Sequence, residues 1–584
     1  MKSCRYMRFE LDRERLPTGM RILGGGAVGG KAIGLIFTAS CCEFLNERIA
    51  DNPELIRFPE STILATDYFD SFMTENHLAD AVQKKCDAKI QKVEMAQMFI
   101  ESTLPKELTW ELRQLLSKEK RSMAVRSSSF LEDNLKHSFA GIYQSLFIPN
   151  RGNDAARLQQ LETAIKLVYL STFGDNAREY RLRHGISWRE EKMAVLIQNL
   201  IGREYPDHLY YPLVAGVGFS KNFYPWNDSI SADGGVVRLV MGLGTRAVGR
   251  YYARVFSPAL PDLRPEGGSV SDILRYSQTQ IDALDLETGG MSTPEIKALL
   301  GSNDQLYKVT SELREGDYFM DAPRNFEGHE ELVLTFDPLL TGDTHFPFVR
   351  MMQGLLKNLE RMFGTPIDME FALNLGGDDL FYILQVRPLG GRVEHRHVKI
   401  PKQIPERDIV LSSENVLGNG MKRGIHHIVY VPLEKYRFDK GYDIARRVGQ
   451  VNAKFKEGSG YILIGPGRWA TSHPDLGVPV HYSEISHAEV IVECSHGDFT
   501  PELSYGTHFF GDMVVSNIIY IPLFLEKRDY LNHRFLEQHQ TGREVSGVCV
   551  VEVKEGMDVF VDGRTRTGVI LKRSKDSRNA DCTR

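Results

Sequence analysis

The sequence predicts an α+β protein built from α/β-type lobes and followed by a separate mixed α/β domain. The first observation is length, because 584 residues exceed the size of one ordinary domain. Apolar runs of strand length also alternate with amphipathic runs of helical length over the first two thirds of the chain. A stretch rich in glycine, proline and mixed charge then precedes a final segment of short strands. We therefore predict domains at residues 1–392 and 409–584, joined by a linker at residues 393–408.

Composition and charge argue against several classes of protein. A net charge of −6 gives no electrostatic reason to expect nucleic-acid binding. No apolar run is long enough to span a membrane, and the charged N-terminus lacks the apolar core of a signal peptide, so we expect a cytoplasmic protein without a membrane partner. The seven cysteines are scattered without CxxC spacing, which supports neither a disulfide scaffold nor a zinc site.

The first candidate site lies in Leu23 to Leu35, LGGGAVGGKAIGL, whose glycines at 24, 25, 26, 29 and 30 we call the glycine loop. Such a loop before a helix is a natural anion site, because N–H groups and the positive end of the helix dipole face the anion. Lys31 adds a charge at its mouth. The GxxxxGK[ST] ending of a Walker A loop is missing, since Ala32 follows Lys31. Glycine turns are more often structural than phosphate-binding, so the loop alone leaves both interpretations open.

The next segments are predicted to be mainly scaffold. Ser61 to Ala65 is typical of a buried strand, and Thr66 is expected to cap the helix that follows. Residues 77–118 predict two amphipathic helices interrupted near Pro105, and residues 154–183 predict a further helical region. Met193 to Ile201, MAVLIQNLI, is too apolar for an exposed strand, and it carries Gln198.

The second candidate site is the central stretch, Met123 to Phe147, with the sequence MAVRSSSFLEDNLKHSFAGIYQSLF. Its pattern predicts a strand that delivers Arg126, a small-residue loop that contains Gly141, and a second strand that contains Ser145. Serines and glycine leave N–H groups free and let the backbone approach phosphate. An arginine adds a planar fork that grips two phosphate oxygens. An ordinary hairpin with a polar turn is the alternative.

The third candidate site is the segment from Asp368 to Pro388, DMEFALNLGGDDLFYILQVRP. Two alternating strands around a Gly-Gly pair predict a β-hairpin. Asp368 and Glu370 share one face of their strand, and Gln385 and Arg387 share one face of the partner strand. Two carboxylates, an amide oxygen and a guanidinium on one sheet face suit Mg²⁺ and a triphosphate. A surface hairpin with cross-strand ion pairs is the alternative.

These three stretches resemble, in order, nucleotide-binding segments of the pyruvate phosphate dikinase and phosphoenolpyruvate synthase family. The motifs are GGKAIGL, then VRSSSFLED with SFAGIYQS, and finally DME with LFYILQVRP. The resemblance covers roughly the first two thirds of the chain and implies an ATP-grasp fold that clamps Mg-ATP between two lobes. One departure is Thr245, which stands where the family has a glutamate and is followed by Arg246.

The resemblance implies roles for individual residues. The residues expected to bind ATP are Lys31, Arg126, Gly141, Ser145, Gln198 and Arg387, with Gln198 at the base and the others at the phosphates or the loop around them. The expected Mg²⁺ ligands are Glu370 and Gln385. The residues expected to take part in phosphate transfer are Arg126, Arg387 and His473.

The C-terminal third departs from the family pattern. Long members continue into a domain with a phosphorylated histidine in a GGxTSHAA segment and then a barrel for pyruvate, and fewer than 200 residues remain here. GPGRWATSHPDLGVPV, residues 465–480, makes His473 a candidate phosphoacceptor, although Pro474 breaks the helix that should follow it. His508 is a further candidate. In the same segment Arg468 is expected to pair with an anion beneath Trp469, and a tight turn with a buried tryptophan is the alternative.

Three functions remain open on the sequence. The leading hypothesis is an ATP-dependent, kinase- or dikinase-like phosphotransferase that passes phosphate to a small-molecule or protein acceptor. The second is a regulatory protein that senses ATP without turning it over. The third is the ATP-binding half of a split dikinase, whose phosphohistidine lies on a partner chain.

Overall fold

The structure of the chain is a computed structural model. It describes residues 5–49, 54–86, 92–129, 132, 143–183, 185–222, 229–248, 253–265, 267–299, 303–325, 331–341, 346–376, 379–389, 398–401, 404–416, 419–455, 459–471, 474–497, 499, 504, 513, 518–526, 528–563 and 565–573. The chain divides into two compact units. Unit 1 comprises Met1–Arg178 and Ser187–Leu389, and unit 2 comprises Glu179–Ile186 and Gly390–Arg584. Both helices and sheets are present, which confirms the predicted α+β class.

The strands of unit 1 are β1 (Met20–Leu23), β2 (Ile56–Arg57), β3 (Ser61–Leu64), β4 (Met123–Ser129), β5 (Ser145–Ile148), β6 (Met193–Asn199), β7 (Arg203–Glu204), β8 (Leu209–Tyr211), β9 (Val214–Phe219), β10 (Val236–Val240), β11 (Arg254–Phe256), β12 (Ala283–Asp285), β13 (Met291–Ser292), β14 (Ser311–Arg314), β15 (Tyr318–Asp321), β16 (Leu332–Val333), β17 (Ile367–Asn374) and β18 (Leu380–Pro388). The helices before residue 389 are α1 (Gly29–Ser40), α2 (Cys42–Ile49), α3 (Thr66–Glu75), α4 (Leu78–Cys86), α5 (Lys92–Glu101), α6 (Lys106–Lys118), α7 (Asp154–Ser171), α8 (Asp175–Arg183), α9 (Thr245–Val248), α10 (Val270–Tyr276), α11 (Asp337–Leu340) and α12 (Phe348–Phe363).

Two sheets of unit 1 position the candidate site. The first has five strands in the order β1-β3-β6-β4-β5, and the second has six in the order β11-β10-β9-β17-β18-β2. In the first sheet β6 is fully buried and β4 nearly so, as continuous apolar and small-residue runs predict. The second sheet is covered by the apolar stripe of α12, which includes Met352, Leu355 and Leu359. Smaller sheets join β13-β12-β8-β7 and β15-β14-β16.

Helix α1 packs against strands of both large sheets, β4 and β18. Two glycines permit this close approach. A Cβ atom at Gly29, whose φ is +78°, would lie 1.7 Å from the carbonyl oxygen of Ser128. A Cβ atom at Gly34 would lie 2.3 Å from the carbonyl oxygen of Val386. The glycines of GGKAIGL therefore set the distance between this helix and each sheet.

Unit 2 is built on one eight-stranded sheet in the order β25-β24-β21-β20-β27-β28-β19-β26. Its strands are β19 (Ile409–Ser413), β20 (Asn419–Tyr430), β21 (Tyr461–Pro466), β22 (Arg468–Trp469), β23 (Gly477–Val478), β24 (Ala488–Ser495), β25 (Ile519–Phe524), β26 (Tyr530–Leu531), β27 (Cys549–Asp562) and β28 (Thr567–Lys572), and its helices are α13 (Gly441–Asn452) and α14 (His533–Gln538). Strands β20, β21, β24 and β25 run parallel, and α13 lies in the connection between β20 and β21. Strands β22 and β23 form a separate two-stranded sheet.

Two local predictions are corrected. Thr66 does not cap the helix that follows, because it is the first residue of α3 and Ala65 occupies the cap position. The Thr66 hydroxyl instead accepts a hydrogen bond from the N–H of Ala27 at 2.9 Å. In the described parts of this region, residues 77–86 and 92–118, there are three helices, α4, α5 and α6, where two were predicted. Among the described residues, no helix combines the length and the apolar character needed to cross a membrane.

Candidate active site

The centre of the candidate site is Arg126, in the middle of β4. Its Nη2 atom donates to Oε2 of Glu370 at 2.5 Å and to Oε1 of Gln385 at 2.9 Å. Glu370 and Gln385 are cross-strand neighbours in the hairpin of β17 and β18. The side chains of Arg126 and Glu370 are only 12% and 16% exposed. A cation of the first sheet therefore contacts a carboxylate and an amide oxygen of the second sheet where solvent is largely excluded. We call these three residues the Arg126 cluster.

Gln198 lies beside the Arg126 cluster on the neighbouring strand β6. Its Oε1 atom is 3.5 Å from Nη1 of Arg126, and its Nε2 atom donates to the carbonyl oxygen of Leu384 at 3.3 Å. The residue is buried. Its amide therefore helps to join the first sheet to β18.

Lys31 lies in the first turn of α1 and reaches β4. Its ammonium group donates to the hydroxyl of Ser127 at 2.9 Å and forms a salt bridge with Glu132. The Glu132 side chain is only 1% exposed, and it also accepts from the N–H of Ser129 at 3.1 Å. A buried carboxylate needs such partners, because an unpaired buried charge is costly. Lys31 and Glu132 therefore form a second neutralised pair in unit 1.

The three serines after Arg126 are all buried and hydrogen-bonded. Ser127 binds Lys31, and Ser128 accepts from the N–H of Ala32 at 3.1 Å. Ser129 donates to Oε1 of Glu191 at 2.6 Å. The run of small polar residues thus ties β4 to the start of α1 and to the residues before β6.

The glycine loop is held by side chains from other segments. Arg13 donates to the carbonyl oxygens of Gly24, at 2.8 Å, and of Gly26. Oδ2 of Asp67 accepts from the N–H of Gly25 at 2.7 Å, and Thr66 accepts from Ala27 as described above. Two N–H groups that the sequence left available to phosphate are therefore engaged within the protein. Arg13 and Asp67 carry no local sequence signal that would have identified them.

Arg387 is buried opposite Asp368 in the same hairpin. Its Nε atom donates to Oδ2 of Asp368 at 2.6 Å, and the two side chains are 6% and 2% exposed. The cross-strand register pairs Asp368 with Arg387 just as it pairs Glu370 with Gln385. Alternation along the two strands therefore places two carboxylates, an amide and a guanidinium at one end of the hairpin.

The remaining predicted site residues fall in different places. Ser145 begins β5 directly opposite Arg126 in the strand register and is exposed. Gly141, His473 and His508 lie outside the described residues. Within the parts of the chain that the structure describes, no group of three His, Cys, Asp or Glu side chains is arranged to hold a metal ion.

The departure at position 245 has an internal partner. The Thr245 hydroxyl donates to Oδ2 of Asp282 at 2.7 Å, and Nε of Arg246 donates to Oδ1 of the same carboxylate at 2.8 Å. Both residues thus bind a carboxylate from the segment before β12. The unusual pair in the sequence is used, at least in part, to fasten this loop.

In unit 2, the predicted working loop around Arg468 is closed. Both Arg468 and Trp469 are buried, and the indole Nε1 atom donates to the carbonyl oxygen of Val492 at 3.0 Å. The N–H of Trp469 donates to Glu493, a fully buried carboxylate whose pKa is raised by burial against the opposing effect of hydrogen bonds. The structure favours the alternative of a tight turn with a buried tryptophan.

Comparisons with known proteins agree with the sequence motifs. A family model described as "Pyruvate phosphate dikinase, AMP/ATP-binding domain" matches residues 26–408. Phosphoenolpyruvate synthase from Deinococcus radiodurans is 24% identical over 57% of this chain and 37% of its own length. Rifampicin phosphotransferases from Streptomyces sviceus and Bacillus subtilis are 23% and 25% identical, over 58% and 50% of this chain and 32% and 26% of their own lengths. The chain thus matches about a third of the length of these curated relatives. The predicted resemblance is confirmed, and with it the ATP-grasp type of fold.

Proposed function

Because this chain belongs to the pyruvate phosphate dikinase AMP/ATP-binding domain family, we propose that unit 1 binds Mg-ATP and transfers phosphate from it to an acceptor. The observation that carries the proposal is the Arg126 cluster, in which one guanidinium faces a carboxylate and an amide oxygen. Such a set can exchange its internal contacts for a phosphate and a cation. The names of the relatives, phosphoenolpyruvate synthase and rifampicin phosphotransferase, support phosphate transfer as the reaction class.

The first step is the capture of the nucleotide phosphates by two cations. Arg126 and Lys31 are each neutralised by one carboxylate, Glu370 and Glu132, in the structure. Phosphate oxygens would compete for these cations, and the guanidinium can offer two N–H groups to one phosphate. Release of a buried carboxylate without a new partner is costly, by several kcal/mol in typical cases. Binding of phosphate alone is therefore opposed by the very pairs that hold the cations.

Glu370 and Gln385 fit a magnesium site. Their Oε2 and Oε1 atoms both lie within hydrogen-bond distance of a single atom, Nη2 of Arg126, so they are close enough to share one cation. One carboxylate and one amide oxygen suit Mg²⁺, which is commonly held by few protein ligands together with phosphates and water. When bound, Mg²⁺ would neutralise charge on the phosphates during transfer. Glu370 would then leave Arg126 for the metal, so nucleotide and metal should bind cooperatively.

Arg387 is proposed to orient the transferring phosphate. Asp368 holds its Nε edge at 2.6 Å, which restricts the rotation of the guanidinium plane. A fixed donor stabilises charge that develops in the transition state better than a flexible one, because no reorganisation is needed. Gln198, beside Arg126, is proposed to contact the base, and Ser145, opposite Arg126 on β5, to line the site.

The reaction is a displacement at phosphorus. A nucleophilic oxygen or nitrogen of the acceptor forms a bond to the transferred phosphorus, and the bond from that phosphorus to its bridging oxygen breaks. The nucleotide leaves with the electron pair. The chain contributes positioning and charge neutralisation through Arg126, Lys31 and Arg387. The acceptor is unassigned, and His473 and His508 stay the candidates that the sequence offers within this chain.

The test is incubation of the full chain with Mg-ATP, followed by nucleotide analysis and mass spectrometry of the protein. Nucleotide products or a phosphorylated residue that depend on Arg126 support the proposal. The matched control is Arg151→Ala, because Arg151 also forms a salt bridge, with Glu204, but its side chain is 54% exposed and lies outside the Arg126 cluster. Bound but intact ATP would indicate a sensor, and turnover only with a second protein would indicate a split enzyme. Absence of ATP binding would overturn the proposal.

A further inference from the structure

We propose that unit 2 binds a small phosphorylated molecule in a basic cavity beside α13, independently of the function proposed for unit 1. The cavity has a volume of about 490 Å³. We call it the basic cavity, because its lining includes five cationic side chains: Lys435, Arg437, Lys440, Arg446 and Arg447. Only two carboxylates share the lining, Asp443 and Glu544. This surplus of positive charge occurs in a chain with a net charge of −6.

Three of the cations are held by carboxylates on the rim or beside it. These pairs are Lys435 with Glu544 at 2.8 Å, Arg437 with Asp439 at 3.1 Å and Arg446 with Glu484 at 2.6 Å. Hydrogen bonding to Glu544 raises the pKa of Lys435, which keeps this lysine charged. The other two cations, Lys440 and Arg447, are the ones that we expect to bind an anion.

Lys440 and Arg447 form no salt bridge with any residue that the structure describes. Arg447 donates through Nη1 to Oε1 of Gln450 at 3.0 Å. Its Nε atom is buried, and within the described part of the chain it has no hydrogen-bond partner. A buried N–H group without a partner is unfavourable, so native structures usually satisfy it. Its other guanidinium N–H groups would donate to oxygens of a bound ligand.

The fold encloses the basic cavity between a helix and a turn. Strand β20 ends at Tyr430, and the chain then passes through Lys435 and Lys440 before α13 begins at Gly441. On the other side, a tight turn is closed by mutual backbone hydrogen bonds between Val545 and Val548. The turn packs on the helix, because a Cβ atom at Gly547 would lie 3.3 Å from Ile444. The cavity thus lies at the carboxyl end of a parallel strand, where α/β sheets commonly bind ligands.

The mixture of charges favours a phosphate monoester over a polyanion. Arginine forks bind phosphate oxygens in pairs, and about 490 Å³ is a usual size for a small-ligand pocket. Asp443 and Glu544 would accept hydrogen bonds from ligand hydroxyls but would repel a continuous line of phosphates. A nucleic-acid strand needs a longer basic track and gains nothing from the net negative charge of the chain. A sugar phosphate is the simplest ligand of this kind.

The experiment is titration of the full chain with inorganic phosphate and with ribose 5-phosphate, using calorimetry and ³¹P NMR. The cavity variant combines Lys440→Ala and Arg447→Gln. The matched control combines Lys454→Ala and Lys554→Gln, two exposed lysines that do not line the basic cavity and whose replacement changes the net charge equally. We expect the cavity variant to lose one binding component or to weaken it about tenfold or more, and the control to retain it.

Three results would overturn this proposal. The first is the absence of any phosphate-binding component that the cavity variant weakens. The second is equal weakening in the control, which would indicate general charge attraction. The third is binding of a 20-mer oligonucleotide, lost in the cavity variant, without binding of ribose 5-phosphate. If thermal unfolding shows that the cavity variant is not folded, Lys440→Ala alone serves as the variant, because this side chain is exposed.

Discussion

Two groups of cationic side chains among the described residues are built in opposite ways. In unit 1, Arg126 and Lys31 are largely buried and each faces a carboxylate. In the basic cavity of unit 2, Lys440 is exposed, Arg447 is partly exposed, and neither forms a salt bridge with a described residue. In the first arrangement each cation is held in a neutral pair, whereas the second leaves two of its five cations without a salt bridge to a described residue.

This difference shows how a protein can make the binding of an anion depend on a second ion. A neutral buried pair resists an anion unless the displaced carboxylate also finds a partner, which makes a second ion part of the binding event. Exposed cations attract an anion directly, and dissolved salt weakens that attraction. We therefore expect unit 1 to respond to nucleotide and metal together and the basic cavity to respond to a single phosphate group.

The largest expected effect is that of Arg126→Ala, which removes the cation from the neutral pair. At a hundredfold excess over the dissociation constant, Mg-ATP should stabilise the wild-type chain by about 2.7 kcal/mol. The variant should lose most of this stabilisation, and unliganded it should be about 3 kcal/mol less stable because Glu370 is left unpaired. Thermal unfolding with and without Mg-ATP measures both. The double variant Arg126→Met with Glu370→Leu should regain stability without regaining the response, and an Arg126→Ala response equal to wild type would refute the site.

The second prediction concerns the oxygen ligands of the proposed metal. Glu370→Gln and Gln385→Ala should each reduce nucleotide turnover about a hundredfold, or about 2.7 kcal/mol, because charge on the transferring phosphate is less well neutralised. Nucleotide binding should weaken far less. Asn374→Ala, at the opposite end of β17, is the matched control. Steady-state turnover compared with ligand-induced stabilisation separates the two effects, and wild-type turnover in both variants would make the hairpin structural.

The third prediction concerns Glu119, which directly follows α6 and which we expect to contribute to stability but not to nucleotide binding. Burial opposes ionisation of Glu119, but hydrogen bonds from Arg121 and Asn199 lower its pKa to about 2, against an ordinary value of 4.5. The folded pKa is depressed, so this stabilisation is present above about pH 4.5 and is lost as the pH falls toward 2. Glu119→Gln should therefore lower the free energy of unfolding at neutral pH by about 1–2 kcal/mol.

Urea unfolding at several pH values checks this prediction. The difference between wild type and Glu119→Gln should shrink as the pH drops below about 4.5. The response of the variant to Mg-ATP should equal that of the wild type, because Glu119 lies beyond the end of β4 that precedes Arg126. A pH-independent difference in stability would show that Glu119 does not act through its charge. Loss of the response to Mg-ATP would show that Glu119 also contributes to the nucleotide site.

The smallest expected effect is the difference in salt sensitivity between the two regions. Raising the ionic strength from 0.1 to 1 M shortens the Debye length from about 10 to about 3 Å, and phosphate binding in the basic cavity should weaken about fivefold. Mg-ATP binding in unit 1 should change less, because its cations are shielded from solvent. Titrations with phosphate and with Mg-ATP at the two ionic strengths test this prediction. Equal salt dependence of the two affinities would contradict it.

Local patterns predicted the strands that carry the Arg126 cluster, because alternation and apolar runs are properties of short segments. Alternation in the hairpin also predicted that Asp368 and Glu370 share a face, as the register against Arg387 and Gln385 confirms. The contact between Arg126 and Glu370 joins residues 244 positions apart, so no local signal could reveal it. Only the resemblance to a family placed these motifs in one site.

Three contacts stayed hidden in the sequence for the same physical reason. The glycine loop looked open to phosphate because a sequence cannot show that Asp67 and Thr66 take two of its N–H groups. Thr66 looked like a helix cap because its type and position fit one. Trp469 looked able to cover a ligand, although its surroundings bury it completely. In each case a segment distant in sequence supplies a contact that the local sequence cannot reveal.

The close approach at Gly34 has a consequence for how this sequence can change over time. Its neighbour across the gap, the carbonyl of Val386, belongs to the residue between Gln385 and Arg387. A single added methyl group would meet that oxygen at 2.3 Å and push against the strand that carries both side chains. A descendant chain could therefore accept alanine at position 34 only after β18 had already shifted, and a shift of that strand would first misalign the residues proposed to handle phosphate. The distance between position 34 and the Val386 carbonyl oxygen thus determines that a change in β18 must precede the change to alanine.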